Sequence, residues 1–251
     1  MKASVRALDR DIVRALREAA GRGARKDTWR FHKGPLTSHG LSAAQMSRLF
    51  ATWGDAFAGL SSADRFELAG LLLASHVEEE GHAAMAVLRA GLDDLTPRSF
   101  RQLDALLDDF SSWSITDDFA TGRASITARL METHPNETLR LLERWSTSPN
   151  RWKRRTSVVT FTRHVAASGA YLDQALALCE RLQHDRDDLV QKGVGWALKD
   201  GMRASPAARK RILGLVKRMR RKGVPATVTL YALRDVKGRE RDEVLGAAPT
   251  R

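Results

Sequence analysis

Two stretches of the chain align at an offset of 37 residues: LLERWSTSPNRWKRRTSVV at 141–159 and LCERLQHDRDDLVQKGVGW at 178–196. Glu143-Arg144 falls on Glu180-Arg181, Trp152 on Leu189, Arg155 on Lys192 and Val159 on Trp196. Each copy reads as a helix, a short polar turn, and a second helix with a cation one turn in. A single helix pair cannot bury its own apolar face, so neighbouring pairs must stack. This repeat restricts the chain to an all-α class, an α-solenoid of HEAT-like pairs whose second helices line a concave groove.

The remaining pattern agrees with that restriction. Val5, Leu8, Ile12 and Leu16 recur at helical spacing, and Arg6, Arg10, Arg14 and Arg17 form a second stripe. Helix starts are expected at Ser61, Thr96-Pro97, Pro135-Asn136, Ser148-Pro149-Asn150 and Ser205-Pro206, where capping side chains or an N-terminal proline meet an apolar phase. Roughly twelve helices, or about six pairs, fit the length. TSVVTF has strand propensity but lies inside a longer helical pattern, so it is assigned to a helix. Residues 1–40 read as an N-terminal helix and basic linker. Residues 41–237 read as the repeat domain, and 238–251 as a C-terminal tail open to disorder.

Charge says what such a groove could hold. The net charge is +12, and it is unevenly spread. Residues 1–63 carry 11 Lys/Arg against 5 acids, 64–118 carry 4 against 12, and 119–251 carry 27 against 13. No acid occurs between Asp200 and Asp235, a stretch with ten Lys/Arg. Two basic arms flanking an acidic middle point to a polyanion partner, held by long-range potential and counterion release. The densest cluster is Arg151, Lys153, Arg154 and Arg155 around Trp152, running straight into Val158-Val159. On the solenoid reading the valines face the stack, and these cations face the groove with Lys192 and the 209–222 run.

No apolar run approaches the about 18 residues a membrane span needs, and the N-terminus has no signal-peptide core. A single cysteine, Cys179, excludes an internal disulfide framework and fits a reducing compartment, so a cytoplasmic protein is expected.

Two places could carry chemistry, and two others are set aside. SSWSITDDFA sets Trp113 and Asp117 on one helix face; Asp118 beside it is the alternative carboxylate, pointing about 100° away. DLVQKGVGWALKD supplies Trp196, with Gly193 and Gly195 clearing space beside it. An indole can present an electron-rich face to a cation or a base, although any one tryptophan is more often core. SHVEEEGH lacks the four-residue histidine spacing of a zincin helix, so no metal is assigned there. Cys179 lies in the apolar phase of its helix and reads as a buried structural thiol.

Trp113 with Asp117, NRWKRRTSVV with Arg155, and above all QKGVGWAL with Trp196 resemble the AlkD-like DNA alkylation repair family, HEAT-like-repeat DNA glycosylases. The resemblance covers about residues 40 to 235 and is firmest from 110 to 200. It implies Asp117 as the catalytic carboxylate, Trp113 and Trp196 as lesion-flanking side chains, and Arg155 as the backbone-contacting cation. Phe31 falls near an aromatic position in the N-terminal part. The implied activity is excision of N-alkylated, cationic purines such as 7-methylguanine and 3-methyladenine from duplex DNA in base excision repair, by a monomer with no cofactor. The rival expectation is a non-catalytic HEAT-like protein that binds damaged, bent or branched DNA. A protein-binding scaffold comes third, disfavoured by the acid-free stretch 201–234.

Overall fold

The computed structural model describes residues 4–20, 26–27 and 37–246. Phe31 and the end of the expected tail, 247–251, lie outside them. The chain is all-α. Extended structure among the described residues is limited to a two-residue antiparallel pair, β1 (Lys26–Asp27) with β2 (Thr37–Ser38), and a bridge between Thr37 and Val77. The chain divides into two compact units, Met1–Phe119 and Ala120–Arg251.

In the first unit, α1 (Val5–Ala20) buries Leu8, Ile12 and Leu16 and leaves Arg6, Arg10, Arg14 and Arg17 exposed, the two stripes legible in its sequence. It is followed by α2 (Ala43–Thr52), α3 (Gly54–Ala58), α4 (Ser62–Ala74), α5 (Glu78–Arg89) and α6 (Phe100–Leu106). Ser42 and Gln45 close α2 with a reciprocal capping box, which satisfies two otherwise orphan amides. Ser61 caps α4 by accepting from the Asp64 amide. The chain reaches α2 through a loop held by one side chain. Buried Glu79 on α5 accepts from Ser38 Oγ (2.8 Å) and from the amides of His39 (2.9 Å), Gly40 (2.8 Å) and Leu41 (3.0 Å). Four donors on one buried carboxylate satisfy its lone pairs and hold the loop against α5.

α7 (Trp113–Ala120) ends the first unit, the boundary falling at its last residue. The second unit holds α8 (Ile126–Thr133), α9 (Pro135–Trp145), α10 (Arg151–Val159), α11 (Arg163–Ser168), α12 (Leu172–Leu182), α13 (Asp188–Gly201), α14 (Pro206–Arg221), α15 (Ala226–Ala232) and α16 (Gly238–Leu245). Both helices of the pair α12–α13 begin 37 residues after their counterparts in α9–α10. The repeat is therefore structural as well as textual. Successive helices pack in order, α9 on α10, α10 on α13, α12 on α13 and α13 on α15. TSVVTF is helical to Val159, where Val158 and Val159 are wholly buried and each stabilises by about 1.5–3 kcal/mol.

The helices outnumber the expected twelve because short ones intervene. α3 begins where Trp53 ends α2, and α11 is a single turn and a half closed by Gly169 at φ 66°. The segment from 238, read as the start of a tail, is a helix as far as Leu245. It buries Val244, pairs Glu240 with Arg209 on α14, and offers the Leu245 carbonyl to Arg220 at 3.2 Å.

Candidate nucleic-acid interface

Trp113 opens α7 and Asp117 follows one turn later on the same face, both half-buried. Ser112, wholly buried, accepts from the Ile115 amide at 3.2 Å and fixes the start of the helix. Asp118 leaves in another direction and is engaged within the unit. His82 Nδ1 lies 2.8 Å from Oδ2 and the Arg89 guanidinium 2.5 Å from Oδ1, both from α5. Burial pushes the Asp118 carboxyl up, but the His82 hydrogen bond and the Arg89 charge together hold it below the usual carboxylate range. The two neighbouring carboxylates are thus different objects: Asp118 ties α7 to α5, and Asp117 shares a face with an indole.

The cations of α10 do not sit as the sequence suggested. Lys153, Arg154 and Arg155 are 7%, 8% and 5% exposed, buried nearly as deeply as the valines beyond them. Asn150 caps the helix by accepting from the Trp152 amide at 2.8 Å. The Arg154 guanidinium grips Asp185 in a forked pair (Nε–Oδ2 2.6 Å, Nη2–Oδ1 3.1 Å) and donates to the carbonyls of Ser148 (2.9 Å) and Pro149 (2.8 Å). With its guanidinium engaged on both sides, Arg154 is a structural cation and not an outward one. Arg151 pairs with Asp187 at 3.2 Å and lies over the Trp152 ring, 4.4 Å from its centroid. Trp152 itself is core. Arg155 donates to the Leu189 carbonyl at the start of α13. The physical reason for the correction lies across the repeat: Asp185 and Asp187, in the turn before α13, reach back to Arg154 and Arg151, and the Leu189 carbonyl takes Arg155.

On α13, Trp196 is half-buried, and Lys192, one turn earlier, is partly exposed with Nζ 3.5 Å from Asp188 Oδ2. The two glycines do a different job from the one expected. A Cβ on Gly195 would lie 2.7 Å from both Tyr231 Cβ and the Val228 carbonyl oxygen of α15. One on Gly193 would lie 3.1 Å from Val159 and 3.2 Å from Val158 of α10. They permit close approach of helices on two sides and open no space for a ligand. Two residues that sequence reasoning missed complete this face. Arg163 stands over the Trp196 ring, its Cζ 5.2 Å from the centroid, and buried Asp200 accepts from the Arg163 amide at 2.9 Å. The only hint in the sequence was position: Asp200 is four residues beyond Trp196 and is the last acid before the long basic stretch.

Trp113 and Asp117 thus belong to the first unit, and Arg155, Lys192 and Trp196 to the second. A family model described as DNA alkylation repair enzyme matches residues 12–236. The chain belongs to that family. No curated protein matches it.

In this DNA alkylation repair enzyme family member the other sequence candidates have ordinary partners. Glu79 clamps the 38–41 loop, Glu80 meets His39 Nε2 at 3.1 Å, and His82 belongs to Asp118. Among the described residues no group of three His, Cys, Asp or Glu is placed to hold a metal ion. Burial pushes the Cys179 thiol far up, with Glu180 adding to the effect, so it is not a nucleophile. No described helix is long and apolar enough to cross a membrane.

Proposed function

We propose that the protein is an alkylpurine DNA glycosylase acting on cationic N3- and N7-alkylated purines in duplex DNA. The observation that carries this reading is the half-buried Trp113–Asp117 pair on one face of α7, in a chain of this family. A purine alkylated at N3 or N7 leaves as a neutral base and needs no general acid. The deoxyribose needs help, because it gains oxocarbenium character as the glycosidic bond breaks. Asp117 stabilises that charge and orients the attacking water, as carboxylates do in glycoside hydrolysis. Trp113 and Trp196 offer indole faces that favour a cationic base over a neutral one. Lys192, partly exposed near the start of α13, holds backbone phosphate through a charge-assisted hydrogen bond, while buried Arg155 braces the Leu189 carbonyl behind it. The chemistry calls for no cofactor.

Asp117→Asn tests the assignment, since it keeps size and removes charge. Single-turnover release of 7-methylguanine is expected to fall by about 10²–10³, while affinity for lesion DNA stays level or rises slightly. An unchanged rate in a folded variant ends the catalytic role of Asp117. A wild-type protein that binds methylated duplex yet releases no base is the non-catalytic reader of damaged DNA.

A further inference from the structure

Arg163 is held in an unusual way. Its φ is 45°, in the left-handed region that L-residues with long side chains seldom adopt, and it is exposed to solvent. Two contacts to one face of α13 account for that backbone. The Arg163 amide donates to Asp200 Oδ2 at 2.9 Å, and its guanidinium lies over the Trp196 ring with Cζ 5.2 Å from the centroid. Trp196 and Asp200 are four residues apart, so a single helix face supplies both points. Asp200 is 3% exposed and is itself fixed by Lys199 Nζ at 2.7 Å. Chance stacking of a surface arginine would not require a left-handed backbone locked by a buried carboxylate. The strain is sustained because the surroundings over-determine it.

We propose that Arg163 is a positioning residue: its guanidinium, lying over the ring, fixes the plane of the Trp196 indole before DNA arrives. The inference rests on the reading of Trp196 as a lesion-flanking side chain. An indole attached through two rotatable bonds sweeps a wide arc when only half-buried. The planar guanidinium over its face restricts that sweep, which an ammonium on a flexible stem does poorly. Asp200 sets the position of the Arg163 backbone, and Arg163 in turn sets the indole. A pre-oriented ring loses less entropy on meeting the base and reaches the reactive geometry more often. Arg163 touches neither base nor sugar in this scheme, and acts through Trp196.

The test measures single-turnover release of 7-methylguanine at saturating enzyme, where weaker binding no longer slows the rate. Arg163→Gln is expected to lower this rate about two- to fivefold, the range of an exposed cation–π contact. Arg163→Lys should restore it only in part. Because Arg163 is exposed, both variants should melt with the parent. In a Trp196→Leu background Arg163→Gln should have no further effect, which closes a double-mutant cycle. A saturating rate left intact by Arg163→Gln, with only affinity and salt slope reduced, would overturn the proposal and leave a plain phosphate contact. An equal loss in the Trp196→Leu background would overturn it too, because Arg163 would then act elsewhere. If Trp196→Leu alone costs no activity, the lesion-flanking reading of Trp196 fails, and the inference falls with it.

Discussion

Helices α10 and α14 carry comparable densities of cations and use them in opposite ways. In α10 the cations occupy four of the first five positions, and three of them are buried. In α14 the apolar residues Ala208, Ile212, Leu213, Leu215, Val216 and Met219 keep to one face, and Lys210, Arg211, Arg218 and Arg221 are exposed on the other. Only the second is an amphipathic helix in the ordinary sense. The difference lies in the acids that come after each helix in the chain. The turn after α12 brings Asp185 and Asp187 to α10. After α14 there is no acid until Asp235, although Glu240 reaches back to Arg209 and Asp173 reaches forward to Arg211. Local cation density therefore does not identify a DNA-facing surface. The position of the nearest repeat's carboxylates decides which cations stay inside.

Mutation should separate the two helices sharply. The largest effect is expected at Arg154, where Arg154→Met strands Asp185 in a buried position and should cost about 3–5 kcal/mol. For a chain of this size that corresponds to a drop in Tm on the order of 10 °C. A Tm that does not move would mean that α10 holds its cations as loosely as α14. Neutralising Lys210, Arg218 and Lys222 together should leave Tm within ~2 °C, and instead flatten the log–log salt dependence of duplex binding by about 0.9 for each phosphate no longer neutralised. A stability loss matching that of Arg154→Met would erase the contrast.

The smallest effect concerns Asp118, whose pair is intermediate between the two cases, with its side chain 25% exposed. Its folded-state carboxyl titrates below the unfolded value, because His82 and Arg89 outweigh burial. The stability it contributes is complete above the ordinary carboxyl range near ~3.9, and is lost as pH falls through the lowered value. Asp118→Asn should remove that part of the acid dependence, at a cost of about 1 kcal/mol near neutral pH. An acid-unfolding profile identical in both proteins would show that the pair contributes nothing.

Much of the fold was legible because its determinants are local. Ser61, Asn150 and Ser205 each cap a helix where their spacing indicated, and Thr96-Pro97 opens a short 3-10 turn. The 37-residue offset survives at both helices of the pair. The illegible part depends on partners far away in sequence. Arg154 meets an aspartate 31 residues on, Asp118 meets a histidine 36 residues back, and Glu79 collects donors from a loop about 40 residues earlier. Periodicity predicts which face a residue occupies, but not which charge waits there. Arg163 escaped for another reason: its importance lies in a backbone angle, which no side-chain pattern encodes.

The glycine contacts of α13 have a consequence for Trp196. Successive residues turn by about 100° around a helix, so Gly193 and Gly195 point in nearly opposite directions. α10 bears on one flank of α13, where a Cβ would press on two valine methyls, and α15 on the other, where a Cβ would run into backbone. Going round the barrel of the helix, Lys192, Trp196, Lys199 and Asp200 all fall in one of the two arcs between those flanks. α13 is clamped like a rod in a vice, unable to roll without driving its backbone into a neighbour. The azimuth at which the indole leaves the helix is therefore dictated by two residues that have no side chain at all, and lengthening either one would re-aim the tryptophan without touching it.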